Sequence, residues 1–290
     1  MSIDPNVQAT TALQTRSLEI NATDADKLMA FYRDRIGLSL LDSDNGRAPF
    51  TLGTADGFAL LTIYATDKKA DRSHAGLYHL ALRLPTRKDL AAILMHLVQT
   101  GTRMTVASDH GYSNALYLYD PEGNGIEIYW DKPESEWDIL ENGVIVGITE
   151  RLDLEELVSH LNADDVFDGL PIGSDLGHMH LHVFDLQKSW DFYRNILGLG
   201  LKYVYGDQAI FTATGNYHHH LGMNTWRGTN LTEIEDGEQG LRSYTWLGNS
   251  DDLETVKANL VQHDVDYTIT DDGQLYFKDN TGYNVYVKAE

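Results

Sequence analysis

The chain has 290 residues, 42% apolar and 23% charged, the balance of a soluble globular protein with enough length for one large or two ordinary cores. The 22 Lys and Arg against 44 Asp and Glu leave a formal charge of −22, which argues against nucleic-acid binding and against docking on an anionic membrane. Without a single cysteine there are no disulfides, thiolate metal sites or cysteine nucleophiles.

The chain opens on MSIDPNVQATTALQTRS, which is polar and has no apolar signal region. No run approaches the ~18 apolar residues of a membrane helix. With no cysteine as well, a cytoplasmic protein is expected.

A first unit, Arg16–Thr66, reads as a strand, a helix and three strands. Its opening, SLEINATDADKLMAFYRDRIG (Ser17–Gly37), returns later as HMHLHVFDLQKSWDFYRNILG (His178–Gly198) at a constant offset of 161 residues. Asp24 and Asp185 stand where a helix N-cap belongs, and Gly37 and Gly198 where a helix ends. A second unit, Ala75–Lys132, contains GLYHLALRLPTRKDLAAILMHLVQTG and then the hairpin ALYLYDPEGNGIEIYW, whose Asp120–Gly125 run is a turn. Both parts recur in a fourth unit, Gly240–Glu290, as GLRSYTWLGNSDDLETVKANLVQHD and QLYFKDNTGYNVYVK. The third unit spans Leu176–Arg227. Between the second and third lies an acidic connector, Pro133–Asp175, with helical spacing in LDLEELVSHL (Leu152–Leu161).

Residues 1–132 therefore hold two units (16–66 and 75–132), and residues 176–290 hold two more (176–227 and 240–290). The predicted class is α+β, four βαβββ units in which paired units form two half-barrel domains. One such sheet has an apolar face that needs a partner. Three histidines, His178, His180 and His182, share one face of the strand that opens unit three. In the first copy the position of His178 is Ser17; in the fourth unit the position of His79 is Ser243 and that of Glu127 is Tyr286. The fold thus does not demand a histidine at His178.

The motifs His-x-x-Leu-x-Val-x-Asp-Leu and Phe-Tyr-Arg-x-x-Leu-Gly in unit three, with Tyr-Asp-Pro-Glu-Gly-Asn-Gly-Ile-Glu-Ile-Tyr (Tyr119–Tyr129) in unit two, resemble the vicinal oxygen chelate superfamily of glyoxalases, bleomycin-resistance proteins and extradiol dioxygenases. HGYSNALYLY (His110–Tyr119) ahead of the Glu127 strand resembles the catechol 2,3-dioxygenase-like members. That resemblance implies an Fe(II) ion, with Mn(II), Ni(II) or Zn(II) as alternatives, held by His79, Glu127 and His178. It implies His110 and Tyr119 as pocket residues. It also implies an acid–base histidine in YHHHLGMNTW (Tyr217–Trp226), with His219 the best match and His218 and His220 close rivals. The complete ligand set requires units two and three to form the metal cup, leaving units one and four as a metal-free cup. In the family the ligand units lie near the C-terminus, so this order is a departure. Two imidazoles and a carboxylate suit a divalent iron with open positions.

The expected function is an Fe(II)-dependent extradiol dioxygenase acting on a catechol-like diol, with a small aromatic substrate and O2 as partners. The alternatives are a glyoxalase-like isomerase or lyase and a non-catalytic small-molecule binder of the same fold. Homo-oligomerisation stays open. His180 and His182 are expected in structural roles. Trp226, Trp246 and Phe211 are candidates for an aromatic wall.

Overall fold

The computed structural model describes residues 4, 6–162 and 164–290. Unit one comprises β1 (Gln14–Ala22), α1 (Ala25–Phe31) running into a π-helical turn (Tyr32–Ile36), β2 (Ser39–Asp44), β3 (Arg47–Gly53) and β4 (Ala59–Ala65). Unit two comprises β5 (Gly76–Arg83), α2 (Arg87–Gln99), β6 (Met104–Asp109), β7 (Ser113–Tyr119) and β8 (Gly125–Asp131). The connector contributes β9 (Glu150–Arg151) and α3 (Leu154–Val158). Unit three comprises β10 (Asp175–His182), α4 (Leu186–Leu197), β11 (Gly200–Tyr205), β12 (Ala209–Ala213) and β13 (Leu221–Asn224). Unit four comprises β14 (Gly240–Gly248), α5 (Ser250–Gln262), β15 (Tyr267–Ile269), β16 (Leu275–Lys278) and β17 (Asn284–Ala289).

The helices begin and end where the side chains dictate. Asp185 accepts from the Lys188 amide and starts α4, whose apolar stripe of Trp190, Tyr193, Ile196 and Leu197 is buried. Gly198 ends it at φ +69°, a backbone state that costs a glycine little. Thr86 and Asp89 form a capping box on α2, and Asn249 and Asp252 form one on α5.

Two half-barrel sheets result. One runs β15-β16-β17-β14-β1-β4-β3-β2 and contains the strands of units four and one. The other runs β11-β12-β13-β10-β5-β8-β7-β6-β9 and contains those of units three and two. Within each unit the first and last strands are parallel neighbours, as β5 and β8 are. Between units the first strands pair antiparallel, β10 on β5 and β14 on β1. One continuous apolar core, with Leu18, Tyr32, Leu90, Trp190, Tyr244 and Leu260 among its members, spans both sheets. The sheets touch where the Thr15 hydroxyl donates to the Leu176 carbonyl at 2.6 Å. In the connector, β9 adds to the edge of β6, and α3 is shorter than the helical spacing of Leu152–Leu161 predicts. No described helix is long and apolar enough to cross a membrane.

Candidate metal centre

Strand register assembles the site. Ala81 on β5 is the pairing partner of Glu127 on β8 and of His178 on β10, so these three side chains form a row across adjacent strands. His79 lies two residues before Ala81 and so shares its face. The methyl group of Ala81, fully buried, leaves the middle of the row open. A bulge at Gly177 sets the register of β10, and a Cβ there would lie 1.7 Å from the Tyr129 hydroxyl.

His178 Nε2 stands 3.0 Å and His79 Nε2 3.3 Å from the same Glu127 oxygen. All three residues are buried, and one donor atom from each lies within 4.8 Å of the others. Burial lowers the His79 pKa to about 3 against the pull of Glu127, so its imidazole is neutral. Burial alone would raise Glu127, but the charge and hydrogen bond of the facing histidines hold its carboxyl at about 2. His79 Nε2 is buried without a hydrogen-bond partner. The neutral His79 imidazole with its orphaned nitrogen, the ionised Glu127 carboxylate and the His178 ring beside it fit a divalent cation.

Around this cluster stand further polar groups. His110 Nε2 meets the Tyr117 hydroxyl at 2.8 Å, and His110 Nδ1 meets the Ile148 carbonyl at 3.0 Å. Tyr117 is the cross-strand partner of Glu127 and faces the His79 ring at 5.8 Å. Burial and the nearby carboxylate hold its phenol well above the ordinary range, so it stays a donor. Of the two expected pocket residues, His110 and Tyr119, both line the cavity, but the tyrosine bonded to His110 is Tyr117. Tyr119 pairs with Gly125, nearer the hairpin turn, and sits more than half exposed at the cavity mouth.

The histidine triplet precedes β13 rather than lying in it, and its members diverge. The His219 ring packs on His178 at 4.1 Å and on Phe211 at 5.0 Å. His218 Nδ1 lies 2.8 Å from His219 Nδ1, while His218 Nε2 lies 2.9 Å from Asp131. Burial lowers the pKa of both histidines and keeps them neutral. The ionised Asp131 can only accept, so His218 Nε2 donates to it; His218 Nδ1 then accepts from His219 Nδ1–H, and the lone pair of His219 falls on Nε2. His220 turns away: its Nδ1 accepts from the Thr214 amide, and it lines a separate polar cavity of about 400 Å³.

The cluster opens into a cavity of about 810 Å³. Phe211, Trp226 and His180 line it, whereas Trp246 is fully buried in the core and does not. His180 Nε2 is buried there without a partner, and His182 instead bonds to Asn224 at 2.7 Å. Asp131, Tyr117 and the connector residues Ile145 and Ile148 are site components that the sequence reading did not name.

Residues 14–128 and 175–286 match the family described as the Glyoxalase/Bleomycin resistance protein/Dioxygenase superfamily. A Bacillus subtilis (strain 168) protein named catechol-2,3-dioxygenase is 38% identical over 257 residues, 87% of this chain and 86% of that protein. The fold resembles that of the cppA protein from Streptococcus pneumoniae TIGR4 (TM-score 0.61, 14% identity, 96% of this chain and 99% of that one). It also resembles glyoxalase I from Zea mays (TM-score 0.57, 17% identity, 95% and 92% covered). With its four-unit architecture and the matched residues spanning both halves, the chain belongs to the Glyoxalase/Bleomycin resistance protein/Dioxygenase superfamily.

Proposed function

We propose that the protein is an Fe(II)-dependent extradiol dioxygenase that opens a catechol-like ring with O2, using the cup of units two and three. The observation that carries this reading is the convergence of His79, Glu127 and His178, with His79 Nε2 buried and left without a hydrogen-bond partner. The 38% identical relative named catechol-2,3-dioxygenase supports it. These three residues would hold the iron, which when bound supplies the sites for the diol and O2 and the redox chemistry.

The chain's own groups handle protons and orientation. His219 Nε2, with its lone pair free, accepts a proton from a phenolic hydroxyl of the substrate. Asp131 and His218 hold that ring in the tautomer this step needs. The Ile148 carbonyl can only accept, so His110 carries its proton on Nδ1, and its Nε2 accepts from the protonated Tyr117 hydroxyl, whose oxygen is left to accept from a substrate hydroxyl. Aromatic and apolar walls exclude water from the flat substrate. A cysteine-free, soluble enzyme of this kind is suited to the reducing cytoplasm.

Protein reconstituted anaerobically with Fe(II), given catechol and then air, is expected to consume O2 and form a yellow ring-opened product. No O2 uptake across a panel of catechols and hydroquinones would overturn the reading. A methylglyoxal–thiol assay on Ni(II)- or Zn(II)-loaded protein tests the isomerase alternative.

A further inference from the structure

The cavity is much larger than the reaction at its floor requires. Pockets of ~300–1,000 Å³ take drug-sized ligands, and about 810 Å³ is near the top of that range. A single dihydroxybenzene ring is a far smaller molecule. Thr105, Ser108, Thr149 and Gln208 are also among the residues lining the cavity. Of its polar groups, His110, Tyr117 and His219 cluster near the proposed metal donors. The remaining wall carries Val106, Tyr119, Ile145, Ile148, Tyr205 and Trp226 among uncharged polar side chains.

Five of these six, all but Ile145, are 42% to 56% exposed. Large apolar side chains exposed singly are ordinary, but the gathering of these around one opening marks a ligand groove. The wall is fixed in place. The Ile148 amide donates to the His110 carbonyl at 3.1 Å, and the Ile148 carbonyl meets His110 Nδ1 at 3.0 Å. The connector thereby forms one side of the cavity and is tied to a residue that faces the reacting end.

Charge narrows the ligand further. Among the described residues lining the cavity, Glu127 is the only charged side chain, and there is no Lys or Arg. A carboxylate carried on the substrate would find no counterion there. It would also approach a chain with a formal charge of −22.

We infer that the substrate is an uncharged catechol bearing a bulky apolar substituent, seated against Ile145 and Ile148 of the connector and the apolar rim. This inference rests on the dioxygenase reading and goes beyond it in naming the substrate class. The diol occupies the polar floor, and the substituent runs outward along Val106, Tyr205 and Trp226.

The test compares three probes on the anaerobic Fe(II)-loaded protein: catechol, 3-phenylcatechol and 3,4-dihydroxyphenylacetate. Equilibrium affinity is read from quenching of tryptophan fluorescence, and O2 uptake is measured afterwards in air. The phenyl-substituted diol should bind at least about tenfold more tightly than catechol, and the carboxylated one at least about tenfold more weakly. Ile148→Arg should weaken the phenyl-substituted probe and strengthen the carboxylated one. Val106→Ala, at a site more than half exposed, should reduce the phenyl preference without introducing charge. O2 uptake with catechol but equal affinity for all three, or preference for the carboxylated probe, overturns the inference while the dioxygenase reading stands. No O2 uptake with any of the three overturns the dioxygenase reading and the inference with it.

Discussion

The Tyr32 hydroxyl donates to the buried carboxyl of Asp120 at 3.1 Å, joining unit one in one sheet to unit two in the other. The arrangement repeats between units three and four, where Tyr193 donates to Asp279. Asp120 also accepts from the Glu122 and Asn124 amides, so this one group organises the β7–β8 turn and docks it on the neighbouring half. That turn aims the strand carrying Glu127. Tyr32→Phe removes one partner of a buried acid and should cost about 1–2 kcal/mol in urea unfolding. Metal content should not change; an unaltered unfolding midpoint would show that the bond does not hold the halves together.

Ala81 occupies the middle of the row between Glu127 and His178, and only a small side chain leaves that place open. Ala81→Leu should therefore lower bound metal at least about tenfold, with an overpacking cost of ~1–3 kcal/mol. Metal analysis beside far-UV circular dichroism separates a blocked site from an unfolded chain. Full metal occupancy in this variant would mean that the ion is held elsewhere.

Asp131 acts on His219 only through His218. Asp131→Asn leaves the shape but can offer an N–H where the carboxylate only accepts, which reverses the tautomer chain. Turnover should fall ~10–100-fold with KM changed little, the scale of losing an outer partner of a site histidine. His218→Phe should act alike, and the double variant should be no worse than either. Additive losses would show that the two side chains do not work in series.

Six buried histidines, His79, His180, His182, His218, His219 and His220, have pKa values lowered chiefly by burial, to about 3 for His220 and about 4 for His182. An unfolded histidine titrates near ~6.5. Between the folded and unfolded values the unfolded chain binds more protons, so stability is full above pH ~6.5 and falls as pH drops below it. Urea midpoints of the metal-free protein should decline steeply from pH ~6.5 toward ~4.5. His220→Gln, remote from the proposed metal donors, should make the decline shallower. A midpoint constant over that range would contradict the neutral, buried state of these rings.

Much of the architecture was legible because repetition is a long-range signal carried by short motifs. The 161-residue offset aligns Asp24 with Asp185 and Gly37 with Gly198, and caps and chain-reversing glycines are local requirements. His79, Glu127 and His178 were named through the family resemblance, and the repeat positions, where another copy carries Ser or Tyr, add that the fold itself does not demand them. Tyr117 was passed over for Tyr119 because the two share a strand face, and alternation cannot separate them. Counting outward from the Asp120–Asn124 turn does separate them: Tyr119 meets Gly125, and Tyr117 then meets Glu127. No such count exists for His218–His220, which lie in an irregular segment without a period. The roles of Asp131 and of the connector wall are set by contacts between distant segments, and no local pattern carries them.

The most direct measurement is anomalous diffraction at the iron edge from crystals of the anaerobically Fe(II)-loaded protein. The account predicts one iron per chain within coordination distance of His79 Nε2, Glu127 and His178, and no iron there after Glu127→Ala. Iron bound at another place, or retained at this one without Glu127, would contradict it.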